Sequence, residues 1–234
     1  MAFRLFVFDL EGTLLRPQPS GGGRGLVDEQ HSQGLWFRLV NALGPAAVAA
    51  DEQLARNWDA GQYASYTAWC NDSLKNLRKF GLTRTLFEKL SAAFELNDGV
   101  EDTVRELQRR GVVTVIVTGG FVDQARRTQH RLGIPHAYAA VDLVWNPDGS
   151  MAFWNVMPSD FRGKAAFLRA LLEDYGVRPS ECAFVGDGAN DIHIATYAGT
   201  SYAYRASPRL AAVSTHVITE FSEILKGPGV YEKG

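Results

Sequence analysis

The chain has 234 residues, 46% of them hydrophobic and 21% charged, which is enough apolar material for one core or for a core with an insertion. Its 24 basic and 26 acidic residues leave a formal charge of -2, excluding the one-sided positive field that nucleic acid or an anionic membrane recruits. No apolar run approaches spanning length, Arg4, Asp9 and Glu11 interrupt any signal-peptide core, and Cys70 and Cys182 sit in no spaced metal or redox motif. The expectation is a cytoplasmic protein with small-molecule partners.

Phe3 to Phe8 is a compact apolar run broken only by Arg4, which predicts a central strand that delivers Asp9 at its carboxyl end. Arg16 to Arg24 holds two prolines and Gly21-Gly22-Gly23, the composition of a linker or hinge. From about Gly34 to Phe94 the pattern is helical, with Leu35, Trp36, Leu39, Val40 and Leu43 at helix spacing. Trp58, Tyr63, Tyr66, Trp69, Leu74 and Leu77 continue it across later helices. Gly44-Pro45 and Phe80-Gly81 punctuate this stretch, so it reads as a small helical bundle inserted after the first strand, a cap whose aromatic residues serve mainly as packing.

Asp98, with Glu101 three residues later, predicts the N-cap of a helix over 99–110 that stops at Gly111. Val112 to Val117 is a nearly continuous β-branched run, as in a parallel strand covered on both faces, and Thr118-Gly119-Gly120 stands at its end. A helix over 121–132 follows. The segment Tyr138 to Val156 carries Asn146-Pro147-Asp148-Gly149-Ser150 between apolar arms, a hairpin with Trp145 and Trp154 as its cross-strand pair. A helix over 162–175 starts close to Lys164. The strand Ala183 to Gly186 leads into Asp187-Gly188-Ala189-Asn190-Asp191, and strands near Tyr202 and Val217 complete an α/β sheet.

Three of these strand ends carry one chemistry, at the edge where open α/β sheets place their ligands. A carboxylate such as Asp9 can attack phosphorus and divide a difficult hydrolysis into two easier steps. Its charge repels phosphate, so a cation is required, and Asp9 and Asp187 supply the hard oxygen ligands that magnesium takes. Glu11, two residues on, can serve as general acid and then as general base. Thr118 offers a hydroxyl and Gly119 an unobstructed N–H to the transferring group, while Lys164 adds a positive charge. Asp191 orients the metal or its waters, and Asn190 bonds phosphate or substrate.

Each segment alone has an ordinary reading: Asp9-x-Glu-Gly-Thr as a strand ending in a turn, Thr118-Gly119-Gly120 as a strand-to-helix turn, Lys164 as a surface charge, Asp191 as a helix N-cap. Their conjunction, in this order, is what points to phosphoryl transfer.

Those motifs, the helical insertion between the first two of them, and the hairpin before Lys164 make the chain resemble the haloacid dehalogenase superfamily of phosphatases, nearest its phosphoserine phosphatase-like branch. The resemblance implies a Rossmann-like core with a central parallel sheet over 1–15 and 96–234, and a helical cap over 16–95. It also implies magnesium held around Asp9, Glu11, Asp187 and Asp191, and Thr118, Gly119, Lys164 and Asn190 around the phosphate. Most such phosphatases carry aspartate where this chain has Glu11, although some relatives, a phosphotransferase group among them, carry glutamate. The branch's cap also holds substrate with a glutamate and an arginine; Gln18 stands at roughly the glutamate's place, with Glu29 and Arg78 as substitutes. The function expected is hydrolysis of a small phosphorylated metabolite through an aspartyl-phosphate. Transfer of the phosphoryl group to an alcohol, or a catalytically silent binding module, are the alternatives. Arg56, Lys75 and Arg84, with Arg78, are the cap cations on offer to an acidic substrate.

Overall fold

A computed structural model describes residues 2–17 and 34–227. The expected hinge Gly21-Gly22-Gly23, and Gln18 and Glu29, lie outside the described residues.

β1 (Leu5–Phe8) is followed by four helices, α1 (Leu35–Ala42), α2 (Pro45–Asp59), α3 (Tyr66–Lys79) and α4 (Arg84–Ser91). Next come α5 (Val100–Arg109), β2 (Val113–Phe121), α6 (Val122–Leu132) and the arms β3 (His136–Trp145) and β4 (Met151–Val156). The chain continues through α7 (Arg162–Asp174), β5 (Cys182–Gly186), α8 (Ile192–Tyr197), β6 (Thr200–Tyr204), α9 (Pro208–Ala211) and β7 (His216–Ile218). The sheet runs in the order β4-β3-β2-β1-β5-β6-β7, parallel throughout except for β4, which pairs antiparallel with β3. The hairpin is therefore an extension of the central sheet.

β1 lies at the middle of that sheet and its pleat divides the interior. Phe6 and Phe8 point to the layer shared with α5 and α6, where the rings of Phe6, Phe8 and Tyr202 stack. Leu5 and Val7 point to the layer under α7 and α8. Both layers are dry, which is why β1, β2 and β5 read as continuous apolar runs.

The cap helices start where local chemistry allows: Ser65 and Thr83 accept hydrogen bonds from the N–H groups of Ala68 and Leu86. Their apolar faces do not close on themselves. Leu35, Leu39, Leu74, Leu77 and Phe87 share one cluster with Phe121, Ala140, Val141, Leu143 and Met151, so the cap's interior is completed by the hairpin and the end of β2.

Several local expectations are corrected. Gly99, not Asp98, takes the N-cap position of α5, because Asp98 pairs instead with Arg16 at 2.7 Å. β2 runs on to Phe121, with its register against β3 breaking between Thr118 and Phe121, so the Thr-Gly-Gly segment is part of the strand and bulged. Trp145 opposes Met151 and Trp154 opposes Leu143, so the two tryptophans are not cross-strand partners. Trp154 instead donates to Asn71 of α3 and lies under the Arg78 guanidinium.

Candidate active site

β1 ends at Phe8, and the backbone N–H of Asp9 still bonds the Val185 carbonyl at 3.0 Å, so Asp9 leaves the sheet beside the end of β5. Asp187 emerges one residue after β5. The two carboxylates are therefore neighbours because their strands are neighbours. Asp9, Asp187 and Asp191 each place an oxygen within 4.8 Å of the others, all buried.

The turn after Asp9 depends on Gly12. Its φ is +85°, and a Cβ there would stand 2.1 Å from Asp187 Oδ2, so a side chain would displace that carboxylate. Thr13 fastens the same turn by donating to Asp187 Oδ1 at 2.8 Å.

Lys164 sits in the first turn of α7 and is fully buried. Its Nζ donates to Asp9 Oδ1 and to Asp191 Oδ1, each at 2.6 Å, and lies 3.6 Å from Asp160 Oδ1. Burial works against its charge, but Asp191, Asp9 and Asp160 together overcome it and hold the ammonium well above the usual lysine range. The surface-charge reading of Lys164 is thereby removed.

Four carboxylates face that single ammonium. Burial, with Asp191 and Asp160 adding, pushes Asp9 up to about 8 despite Lys164; burial and the same crowding raise Asp187 well above the carboxylate range. The excess negative charge is what a divalent cation would offset, and oxygen-only donors at this spacing suit magnesium.

Asp191, one of the three clustered aspartates, also anchors the loop around it. It occupies the N-cap position of α8 without capping it; Oδ2 accepts from the N–H groups of Asp187 and Gly188 at 3.1 and 3.2 Å, and Oδ1 takes Lys164. Both oxygens thus hold the loop and the lysine, even as they lie beside the other two aspartates.

Glu11 stands apart from that cluster. Its Oε1 accepts from the N–H of Leu35, at the start of cap helix α1, at 2.9 Å. Burial pushes its carboxyl up to about 7, against the pull of the Leu35 N–H and of Gln124. The expectation places it among the metal-binding side chains, and the clustered group consists of Asp9, Asp187 and Asp191.

At the end of β2 the Thr118 hydroxyl oxygen accepts from Gly120 N–H at 3.1 Å, leaving its own O–H to donate, while the Thr118 carbonyl accepts from Ser159. Gly119 is hemmed in: a Cβ there would lie 2.2 Å from Asp160 Oδ2. Its carbonyl accepts from Tyr66 at 3.1 Å and from Trp36 Nε1 at 3.5 Å, two cap residues. Asn190, expected at the phosphate, donates to Asp160 Oδ1 at 2.8 Å, which fixes its amide beside the site.

Asp160, Ser159, Gln124 and the Leu35 N–H are site groups that sequence reasoning missed. Only Asp160 left a signal, its i,i+4 spacing to Lys164. Cap cations are placed elsewhere: Arg56, Lys75 and Arg84 pair with Glu52, Asp72 and Glu88 on the surface. Arg78 lies about 18 Å along α3 from Tyr66. The cap side of the site is aromatic instead, with Trp58, Tyr66 and Trp69 packed on one another and on Phe161, next to Asp160.

The chain is similar to known proteins in sequence and in fold. A probable phosphoserine phosphatase of Schizosaccharomyces pombe is 30% identical over 132 residues, 56% of this chain and 44% of that protein. The phosphoserine phosphatase of Methanocaldococcus jannaschii is 31% identical over 144 residues, 59% of this chain and 66% of that protein. The chain thus spans less than two thirds of the length of these curated relatives. A solved phospho-aspartyl intermediate analogue of phosphoserine phosphatase superposes with a TM-score of 0.72 at 22% identity, covering 97% of this chain and 99% of that one, which establishes a shared fold. The haloacid dehalogenase-like hydrolase family profile matches residues 3–199, a span that holds every group placed above, and the chain belongs to that family.

Proposed function

We propose that the protein is a magnesium-dependent phosphatase that hydrolyses a small-metabolite phosphomonoester through an aspartyl-phosphate on Asp9. The observation that carries this reading is the buried cluster of Asp9, Asp187 and Asp191, with Lys164 bridging Asp9 and Asp191. Phosphoryl transfer is catalysed almost entirely by positioning and charge, and this is the charge pattern it needs.

Lys164 takes one oxygen of Asp9, leaving the other to attack phosphorus. Magnesium, held by Asp9 and Asp187, would supply charge neutralisation. The new bond joins Asp9 to phosphorus while the bond to the leaving oxygen breaks, and Glu11 gives that oxygen its proton. Water then attacks phosphorus, Glu11 takes the water's proton, and Asp9 is released with inorganic phosphate. Thr118 O–H and Gly119 N–H would hold the transferring oxygens. A carboxyl raised to about 7 is suited to both halves of that cycle.

The relatives named phosphoserine phosphatase make phosphoserine a candidate substrate. The aromatic wall formed by Trp36, Tyr66 and Phe161 favours a leaving group with an apolar body. Release of phosphate from an aryl phosphate, with magnesium or with chelator, tests the reading. Metal-dependent turnover that Asp9→Asn lowers by a factor of about 10⁴ or more is expected. Turnover that survives Asp9→Asn would sink the nucleophile, no turnover in magnesium would favour a silent binding module, and partitioning of product toward an added alcohol would favour a transferase. A panel of amino-acid, sugar, nucleotide and cofactor esters then identifies the substrate.

A further inference from the structure

We infer that Gln124 is a positioning residue for Glu11, a part of the acid–base apparatus contributed by α6 and matched to the longer side chain that this chain carries at that position. The inference rests on the reading of Glu11 as general acid and base.

Gln124 is 2% exposed, and neither its amide nitrogen nor its amide oxygen completes a hydrogen bond. A buried amide without partners is destabilising, so its presence calls for a role. It is the third residue of α6, directly after the bulged end of β2. Side chains in a helix lean toward its N-terminus, which here means toward Gly120. A Cβ placed on Gly120 would lie 3.8 Å from Gln124 Oε1, 3.9 Å from the carboxyl carbon of Glu11 and 3.3 Å from Thr118 Oγ1. Gln124 Oε1 and the Glu11 carboxyl therefore both border the space beside Gly120, next to the expected phosphate donor.

Glutamate has one more rotatable bond than aspartate, so a Glu11 carboxyl sweeps a wider arc and needs more than one fixed contact to hold a productive position. One contact is the Leu35 N–H, which belongs to the cap. Gln124, buried in the core and with its amide unpartnered beside the same space, is placed to supply the second when the carboxyl swings to its working position. Being core-borne, it keeps its place whatever the cap does.

Gln124→Met removes the amide and keeps the volume, and because the amide it replaces is unpartnered, the thermal midpoint should hold or rise. Gln124→Leu is a second variant of the same kind. The readout is kcat/KM, which reports formation of the phosphoenzyme, for an alkyl phosphate that needs its leaving oxygen protonated and for a nitrophenyl phosphate that does not. Both variants should lose about tenfold on the alkyl ester and less than about twofold on the aryl ester. In Glu11→Gln the further change at Gln124 should add nothing. Equal losses on the two esters, or no loss on the alkyl ester, would overturn the assignment. If Glu11→Gln discriminates between the esters and the Gln124 variants do not, the Gln124 assignment alone falls. If Glu11→Gln itself does not discriminate, the acid role of Glu11 falls and the Gln124 assignment falls with it.

Discussion

Lys164 shows how one residue changes meaning with its surroundings. In the sequence it is an ordinary lysine near a helix start; in the fold it is the single buried cation among Asp9, Asp160, Asp187 and Asp191 in the described site. Removing one partner of a buried ion network leaves uncompensated charge and costs about 3–5 kcal/mol. Lys164→Met should therefore lower the thermal midpoint by about 10 °C in metal-free buffer. A midpoint that stays in place would mean that the carboxylates are neutral without the lysine. Glu11 changes meaning differently. Its identity was legible, but its anchor was not, because a backbone N–H at the start of a later helix has no sequence signature.

At the scale of elements, the strands declared themselves and their ends did not. The β-branched run of β2 predicted a buried parallel strand, but the bulge between Thr118 and Phe121 arises from pairing with β3, which local sequence does not encode. The cap helices were legible from period and punctuation, whereas what they cover was not: Phe87 packs on Phe121 and Trp145, and Tyr66 reaches Gly119. One acid in the cap sets a pH dependence. Burial, with Glu52 adding, pushes Asp51 of α2 from 3.8 up to about 6. An acid with a raised folded-state pKa contributes fully below its unfolded pKa, and that contribution is lost as pH rises through the folded value. Between pH 3.8 and about 6 the cap therefore weakens as Asp51 ionises. Asp51→Asn should raise stability by about 1 kcal/mol at pH 7, a figure kept small because water reaches the side chain, and should change little at pH 4. Thermal melts at the two pH values check this; equal gains at both would assign the effect to something other than ionisation.

For the whole molecule, the same crowding of carboxylates makes stability a measure of metal binding. An ion that binds only the folded state, at a hundred times its Kd, adds about 2.7 kcal/mol. Magnesium should thus raise the thermal midpoint by roughly 5–10 °C, chelator should reverse the rise, and Asp187→Asn should abolish it. No rise in the parent protein would mean that the excess charge is settled by protons. Among the described residues no helix is long and apolar enough to cross a membrane, in keeping with the hydropathy of the chain.

The chain by itself determined the α/β class, the order of strands and helices and the insertion after β1, and it singled out Asp9, Thr118, Lys164 and Asp187 as candidates, because periodicity, turn chemistry and motif order are written locally. Only the tertiary structure decided who touches whom. The pairing of β1 with β5 set Asp9 beside Asp187, helix α7 turned Lys164 inward, α1 brought the Leu35 N–H to Glu11, and α6 brought Gln124 beside Gly120. These contacts join residues far apart in sequence, and their energy exists only once the intervening chain has folded, so no local pattern carries them.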